Sequence, residues 1–95
     1  MPKITVDYED NSLMWKCPGC QLTHVVYFDR QESPCWQWNH NVESPTITPS
    51  VRAYWSYGDP PQDRICHFFI TNGTIQFLND CTHAYSGMTV DMPPI

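Results

Sequence analysis

Cys17-Pro18-Gly19-Cys20 and, some sixty positions later, Cys81-Thr82-His83 are the residues whose types and spacing point to metal chemistry. A C-x-x-C turn presents two thiolates to one ion, and Pro-Gly inside it permits the tight bend. Zinc takes four ligands in a tetrahedron, and thiolate with imidazole suits it best. The expected set is Cys17, Cys20, Cys81 and His83, holding a structural zinc. Cys66 is the alternate ligand, and His67 is a weaker candidate because adjacent residues rarely bind one ion. His24, four residues after the turn, is expected to hydrogen-bond a thiolate from outside the ligand set. Asp80 is expected to act as a turn residue or to support a ligand. Cys35, directly before Trp36, reads as a packed thiol, and His40 between two asparagines reads as loop.

The familiar catalytic signatures are missing. The chain has no H-E-x-x-H, no H-x-E followed by P-C-x-x-C, no G-x-S-x-G and no phosphate-binding glycine loop. The C-x-x-C then C-x-H order also departs from the Rieske pattern. A thiolate-rich site normally closes with four protein ligands and is structural, so an enzyme is the less favoured reading. The alternative is a small zinc enzyme whose open metal position lies among His67, Asp80 and His83.

The elements that must position these residues are β. Residues 3–7 alternate as an edge strand, and Leu13–Lys16 leads into the turn. His24–Phe28 is β-branched and aromatic and returns from it, making a zinc-ribbon-like hairpin. Cys35–Asn39 reads as a short strand with Trp36 and Trp38 on one face. Pro45 and Pro49 make 43–50 an extended surface segment and disfavour a central strand. Val51–Tyr57 follows as a strand with Val51, Ala53 and Trp55 on one face, ended by Gly58-Asp59-Pro60-Pro61. Asn72-Gly73 between Ile65–Ile70 and Thr74–Leu78 is the strongest local hairpin signal. It pairs Ile70 with Ile75, Phe68 with Phe77, His67 with Leu78 and Cys66 with Asn79. Cys66 then shares a face with Cys81 if the strand continues, and His67 faces the other way. Met88–Met92 reads as a last short strand. The fold class is therefore mainly β: a small zinc-ribbon-like antiparallel domain over 1–95, with long proline-rich loops and little or no helix.

Composition bounds the partners. Net charge is −5, and Lys3, Lys16, Arg30, Arg52 and Arg64 are scattered, which disfavours direct nucleic-acid binding. No apolar run is long enough for a signal peptide or a membrane span. Five cysteines without a secretion signal fit a reducing compartment, where motif spacing favours metal over disulfides. Tyr54, Trp55 and Tyr57, next to a Gly-Asp-Pro-Pro turn, are the candidate partner-binding residues, because aromatics dominate binding hot spots.

A set of residues now matches a known pattern. In the first half these are Cys17-Pro18-Gly19-Cys20 with His24, Trp38-Asn39, Pro45-Thr46 and Pro49-Ser50. In the second half they are Cys66-His67-x-Phe69-Ile70, Gly73, Ile75-Gln76-Phe77-Leu78, Asp80-Cys81-Thr82-His83 and Gly87. Over roughly residues 13–94 the chain resembles a family of small proteins found widely in tailed phages and prophages. Some members are labelled ammonia monooxygenase, an activity of a multi-subunit copper membrane complex that this chain does not resemble in composition. Distant relatives sit beside bacterial ubiquitin-like conjugation genes, which implies an accessory role. The resemblance implies a metal site and a phage or prophage protein acting in the bacterial host cytoplasm, without supplying an activity. The resulting expectation is a non-enzymatic, zinc-stabilised interaction module that binds a host protein. A virion or assembly component is a further alternative, and oligomeric state is left open.

Overall fold

The computed structural model describes residues 1–95 and contains strands and turns but no helix. Three strands, β1 (Thr5–Asp7), β2 (Ser12–Lys16) and β3 (Thr23–Tyr27), form one antiparallel sheet in the order β1-β2-β3. Five more, β4 (Gln37–Trp38), β5 (Ile47–Tyr57), β6 (Gln62–Thr71), β7 (Thr74–Phe77) and β8 (Thr89–Asp91), form a second antiparallel sheet in sequence order. The two sheets share one core. Leu13, Trp15 and Val26 from the first, with Ile4 just ahead of β1, meet Ile47, Val51, Phe68, Ile70, Ile75 and Phe77 from the second. Period-two alternation of apolar side chains is what buries one face of each sheet and wets the other.

The β6–β7 hairpin has the expected register, with Phe68 opposite Phe77, Ile70 opposite Ile75 and Thr71 opposite Thr74. Asn72 (φ 50°) and Gly73 (φ 78°) both take the left-handed conformation that a two-residue type I′ turn needs. The ladder then stops at Phe77. Leu78 N–H still donates to the His67 carbonyl at 2.9 Å, but Asn79 and Asp80 form a turn in place of the continuing strand.

The segment around Pro49 differs from expectation. Instead of crossing the surface, Ile47–Ser50 opens β5, which lies between β4 and β6. Ile47 pairs with Ile70 and Val51 with Phe68, so Thr48, Pro49 and Ser50 oppose Phe69 alone. A bulge of this kind frees the proline from ladder duty, which is how the strand tolerates it. Cys35 also departs from expectation: its side chain is exposed, and Trp38 fills that part of the core.

Beyond the bulge, β5 and β6 pair regularly from Val51–Phe68 to Tyr57–Gln62 across the Gly58–Pro61 loop. This pairing places Val51, Ala53 and Trp55 on the core side together with Arg64, Cys66 and Phe68. Arg52 and Tyr54 face outward with Ile65, His67 and Phe69.

Candidate functional site

Two clusters of chemistry-bearing side chains lie on opposite faces of β6. The first is on the core face. The β2–β3 hairpin closes through Cys17 N–H to Leu22 O (2.9 Å) and Gln21 N–H to Cys17 O (3.0 Å), which curls the C-x-x-C turn. One donor atom from each of Cys17, Cys20, His24 and Cys66 lies within 4.8 Å of every other. Cys17 and Cys66 sulfurs are 3.7 Å apart, and Cys20 Sγ is 3.3 Å from His24 Nε2. Tetrahedral zinc with Zn–S near 2.3 Å separates two thiolates by about 3.8 Å, so the spacing fits that ion. Cys17 and Cys66 are fully buried and His24 is nearly so, and Phe68 and Trp15 pack against the imidazole at 5.0 and 5.9 Å.

The electrostatics agree with a cation site. Hydrogen bonds from Cys17 and then Cys66 hold the Cys20 thiol far below its ordinary pKa. The Cys66 thiol is pushed far up, first by its contact with Cys17. Burial opposes charging His24, yet the Cys17 and Cys20 thiolates override it and raise its pKa to about 9. The Cys20 and Cys66 thiols, side by side in one cluster, are thus shifted in opposite directions. A divalent cation at its centre would hold all three cysteines as thiolates and take the His24 nitrogen as fourth donor.

This set shares Cys17 and Cys20 with the expected one and differs in the other half. Cys66 fills the place expected for Cys81, and His24, expected outside the ligand set, sits inside it. His83 is close, with Nε2 3.4 Å from Cys66 Sγ and its ring lying over Gly19, but it is not within mutual reach of the other donors. The Cys81 thiol turns away to the His67 backbone, at 3.2 Å from N and 3.1 Å from O.

The second cluster is on the outer face. His67 Nε2 is 3.2 Å from Ser50 Oγ, and His67 Nδ1 is 3.0 and 3.2 Å from the two carboxylate oxygens of Asp80. Ser50 is aimed by the β5 bulge, and its carbonyl is pinned by the Trp36 indole N–H at 3.3 Å. Asp80 is carried to His67 by the turn that ends β7. Arg52, paired with His67 across the ladder, brings its Nε within 3.9 Å of Asp80. His67 is about one-fifth exposed and Asp80 under half exposed, so the line of three is open to solvent at one end. The two surface depressions of the molecule lie elsewhere. One is beside Lys3, Lys16 and Pro93, the other between Trp55, Tyr57, Arg64 and His83.

Of the expected binding residues, Tyr54 and Tyr57 are well exposed, whereas Trp55 packs against the core. Tyr54 is on the Ser50–His67 face with Arg52 beside its ring, and Tyr57 is on the other face. Ser50 escaped notice in the sequence, because no G-x-S-x-G frames it and the two prolines suggested a surface connection. A signal was present nonetheless. A four-residue Gly58–Pro61 loop sets Arg52 opposite His67, and alternation then puts Ser50 on the same face.

A protein-family model described as "bacterial ubiquitination-like system serine protease (BubE)" matches residues 2–78, well over half of the chain. The chain belongs to this family. The match covers the C-x-x-C turn, His24, Ser50, Cys66 and His67, and ends just before Asp80. No curated protein and no solved structure matches the chain. No helix is long and apolar enough to cross a membrane.

Proposed function

We propose that the protein is a serine hydrolase acting on protein substrates, with Ser50 as nucleophile, His67 as general base and acid, and Asp80 as the group that orients His67. The observation that carries this reading is the unbroken line Ser50 Oγ–His67 Nε2 and His67 Nδ1–Asp80 at 3.2 and 3.0 Å. Such triads are recognised by geometry and roles and not by order in the chain. Family membership supports it, since the family description names a serine protease of a bacterial ubiquitination-like system.

With His67 Nδ1–H donated to Asp80, the neutral imidazole leaves Nε2 free to accept the Ser50 hydroxyl proton. Ser50 Oγ then attacks the scissile carbonyl, and the proton held at Nε2 passes to the leaving group. Water repeats the sequence on the acyl-enzyme. Asp80 stays ionised throughout and stabilises the imidazolium that forms. The site lies on an open sheet face away from both depressions, which suits an extended polypeptide better than an enclosed small molecule. Tyr54 and Arg52 flank it and are placed to contact such a chain.

This reading departs from the expectation of a non-enzymatic module and of an open zinc beside His67, Asp80 and His83. It keeps the metal as a structural element, with Cys17, Cys20, Cys66 and His24 as its holders. A bacterial host protein, the partner expected from the phage resemblance, becomes a candidate substrate.

The test is active-site labelling with a fluorophosphonate. The wild-type protein is expected to label once, at Ser50, and Ser50→Ala is expected to show no labelling while folding normally. Labelling of Ser50→Ala at the wild-type rate would remove Ser50 from the chemistry.

A further inference from the structure

Cys81 stands out as a buried thiol that neither cluster uses as a ligand or nucleophile. Its surroundings give it a different task. His67 and Leu78 occupy a ladder position at which each residue would normally donate to the other's carbonyl. Half of that exchange survives, Leu78 N–H to His67 O at 2.9 Å. The other half is lost, because the Leu78 carbonyl has been recruited by Cys81 N–H (3.2 Å) and the Ser86 hydroxyl (3.3 Å) as the chain turns. The His67 N–H therefore needs another acceptor, since a buried orphan donor is costly. Cys81 Sγ takes that place at 3.2 Å, and the thiol returns its own proton to the His67 carbonyl at 3.1 Å. The same substitution recurs two residues along β6. Ile65 N–H donates to Thr82 Oγ1 at 3.0 Å, and Thr82 N–H donates to Ile65 O at 3.0 Å.

We infer that Cys81 is a positioning residue for the Ser50–His67–Asp80 line. Its thiol stands in for a strand carbonyl, so the chain can leave the ladder and present Asp80 while the His67 backbone stays fixed. The inference rests on the hydrolase reading for its catalytic consequence, but the contact it describes can be read without turnover. A regular strand through 78–81 would satisfy His67 N–H but would put Asp80 opposite Ile65, one step too far along the sheet.

The experiment compares Cys81→Val, which keeps an apolar side chain of similar size without a hydrogen-bonding sulfur, with Cys81→Ser, which restores an acceptor and a donor. Each is measured for zinc content, for fluorophosphonate labelling rate, and for the His67 Nδ1 proton resonance by NMR. Cys81→Val is expected to keep its metal, to shift or lose that resonance, and to label roughly 10–100-fold more slowly, the scale set by small misplacements of a catalytic group. Cys81→Ser is expected to recover most of the rate and the resonance. Loss of zinc in Cys81→Val would make Cys81 a ligand and overturn the proposal. So would an unchanged resonance, or failure to fold in Cys81→Val alone, which would show the thiol holding the whole fold. If wild-type protein does not label, or Ser50→Ala labels equally, the hydrolase reading fails, and the NMR comparison still decides whether Cys81 sets the His67 ring.

Discussion

Cys66 and His67 are consecutive on β6 and project to opposite faces of one sheet, Cys66 into the thiolate cluster and His67 into the line with Ser50 and Asp80. The strand that carries the proposed general base thereby also carries, one residue away, a thiol of the Cys17–Cys20–His24–Cys66 cluster. Loss of the cluster should disturb the outer face even though no metal donor lies on it.

Metal content is the first consequence. The purified protein is expected to hold about one zinc per chain in a closed tetrahedral site. Structural zinc contributes on the order of 10–16 kcal/mol of apparent binding free energy, so Cys17→Ser and Cys66→Ala should be insoluble or unfolded. Elemental analysis with circular dichroism checks this. Less than about half an equivalent of metal in the wild-type protein, together with a normally folded Cys17→Ser variant, would contradict it. Chelation should abolish fluorophosphonate labelling together with the β signal.

The two histidines near the thiolates should behave differently. His24→Ala removes a donor and leaves a gap against Trp15 and Phe68, so it should lose most of the bound metal. His83→Ala removes only a neighbour of Cys66, and its cost in affinity should stay within about 10–100-fold, the range for groups outside the ligand set. Competition with a chromogenic chelator ranks them, and the reverse order would make His83 the fourth ligand.

Gly19 is required for a packing reason. A Cβ there would run into the His83 ring. Gly19→Ala should therefore cost about 1–3 kcal/mol by overpacking, and adding His83→Ala should return much of it. Chemical denaturation of the single and double variants reads this directly. An equal loss in both would place the strain elsewhere.

On the outer face, Asp80→Asn keeps the volume and the turn but favours the wrong imidazole tautomer. The labelling or turnover rate should fall by roughly 10⁴ with the thermal midpoint little changed. Arg52→Ala breaks an exposed pair at 3.9 Å, worth about 0–1 kcal/mol, and a contact with the exposed Tyr54 ring, so stability should hardly move.

Phe68 joins the two sheets, packing edge-on against Trp15 and Phe77 at about 6 Å and beside His24. Phe68→Ala should destabilise by about 3–5 kcal/mol through the cavity it leaves. A loss below 1 kcal/mol would mean that the sheets do not depend on this contact.

The residues themselves dictated the local chemistry. The Cys17–Cys20 turn bends where Pro18-Gly19 allows it, and Asn72-Gly73 fixes the β6–β7 register through two left-handed residues. Alternation alone puts Cys66 and His67 on different faces. These are short-range effects, carried by a few neighbouring dihedral angles. What needed the tertiary structure was the meeting of distant segments. The β5 bulge that aims Ser50 depends on pairing with β6, and the turn that delivers Asp80 depends on where β7 leaves the ladder. That His24 and Cys66, and not Cys81, lie in mutual reach of Cys17 and Cys20 follows from which sheet face meets the C-x-x-C hairpin, through packing of two sheets over one core. Residue spacing along a chain cannot specify that meeting, because it is decided by burial of apolar faces and not by local conformation.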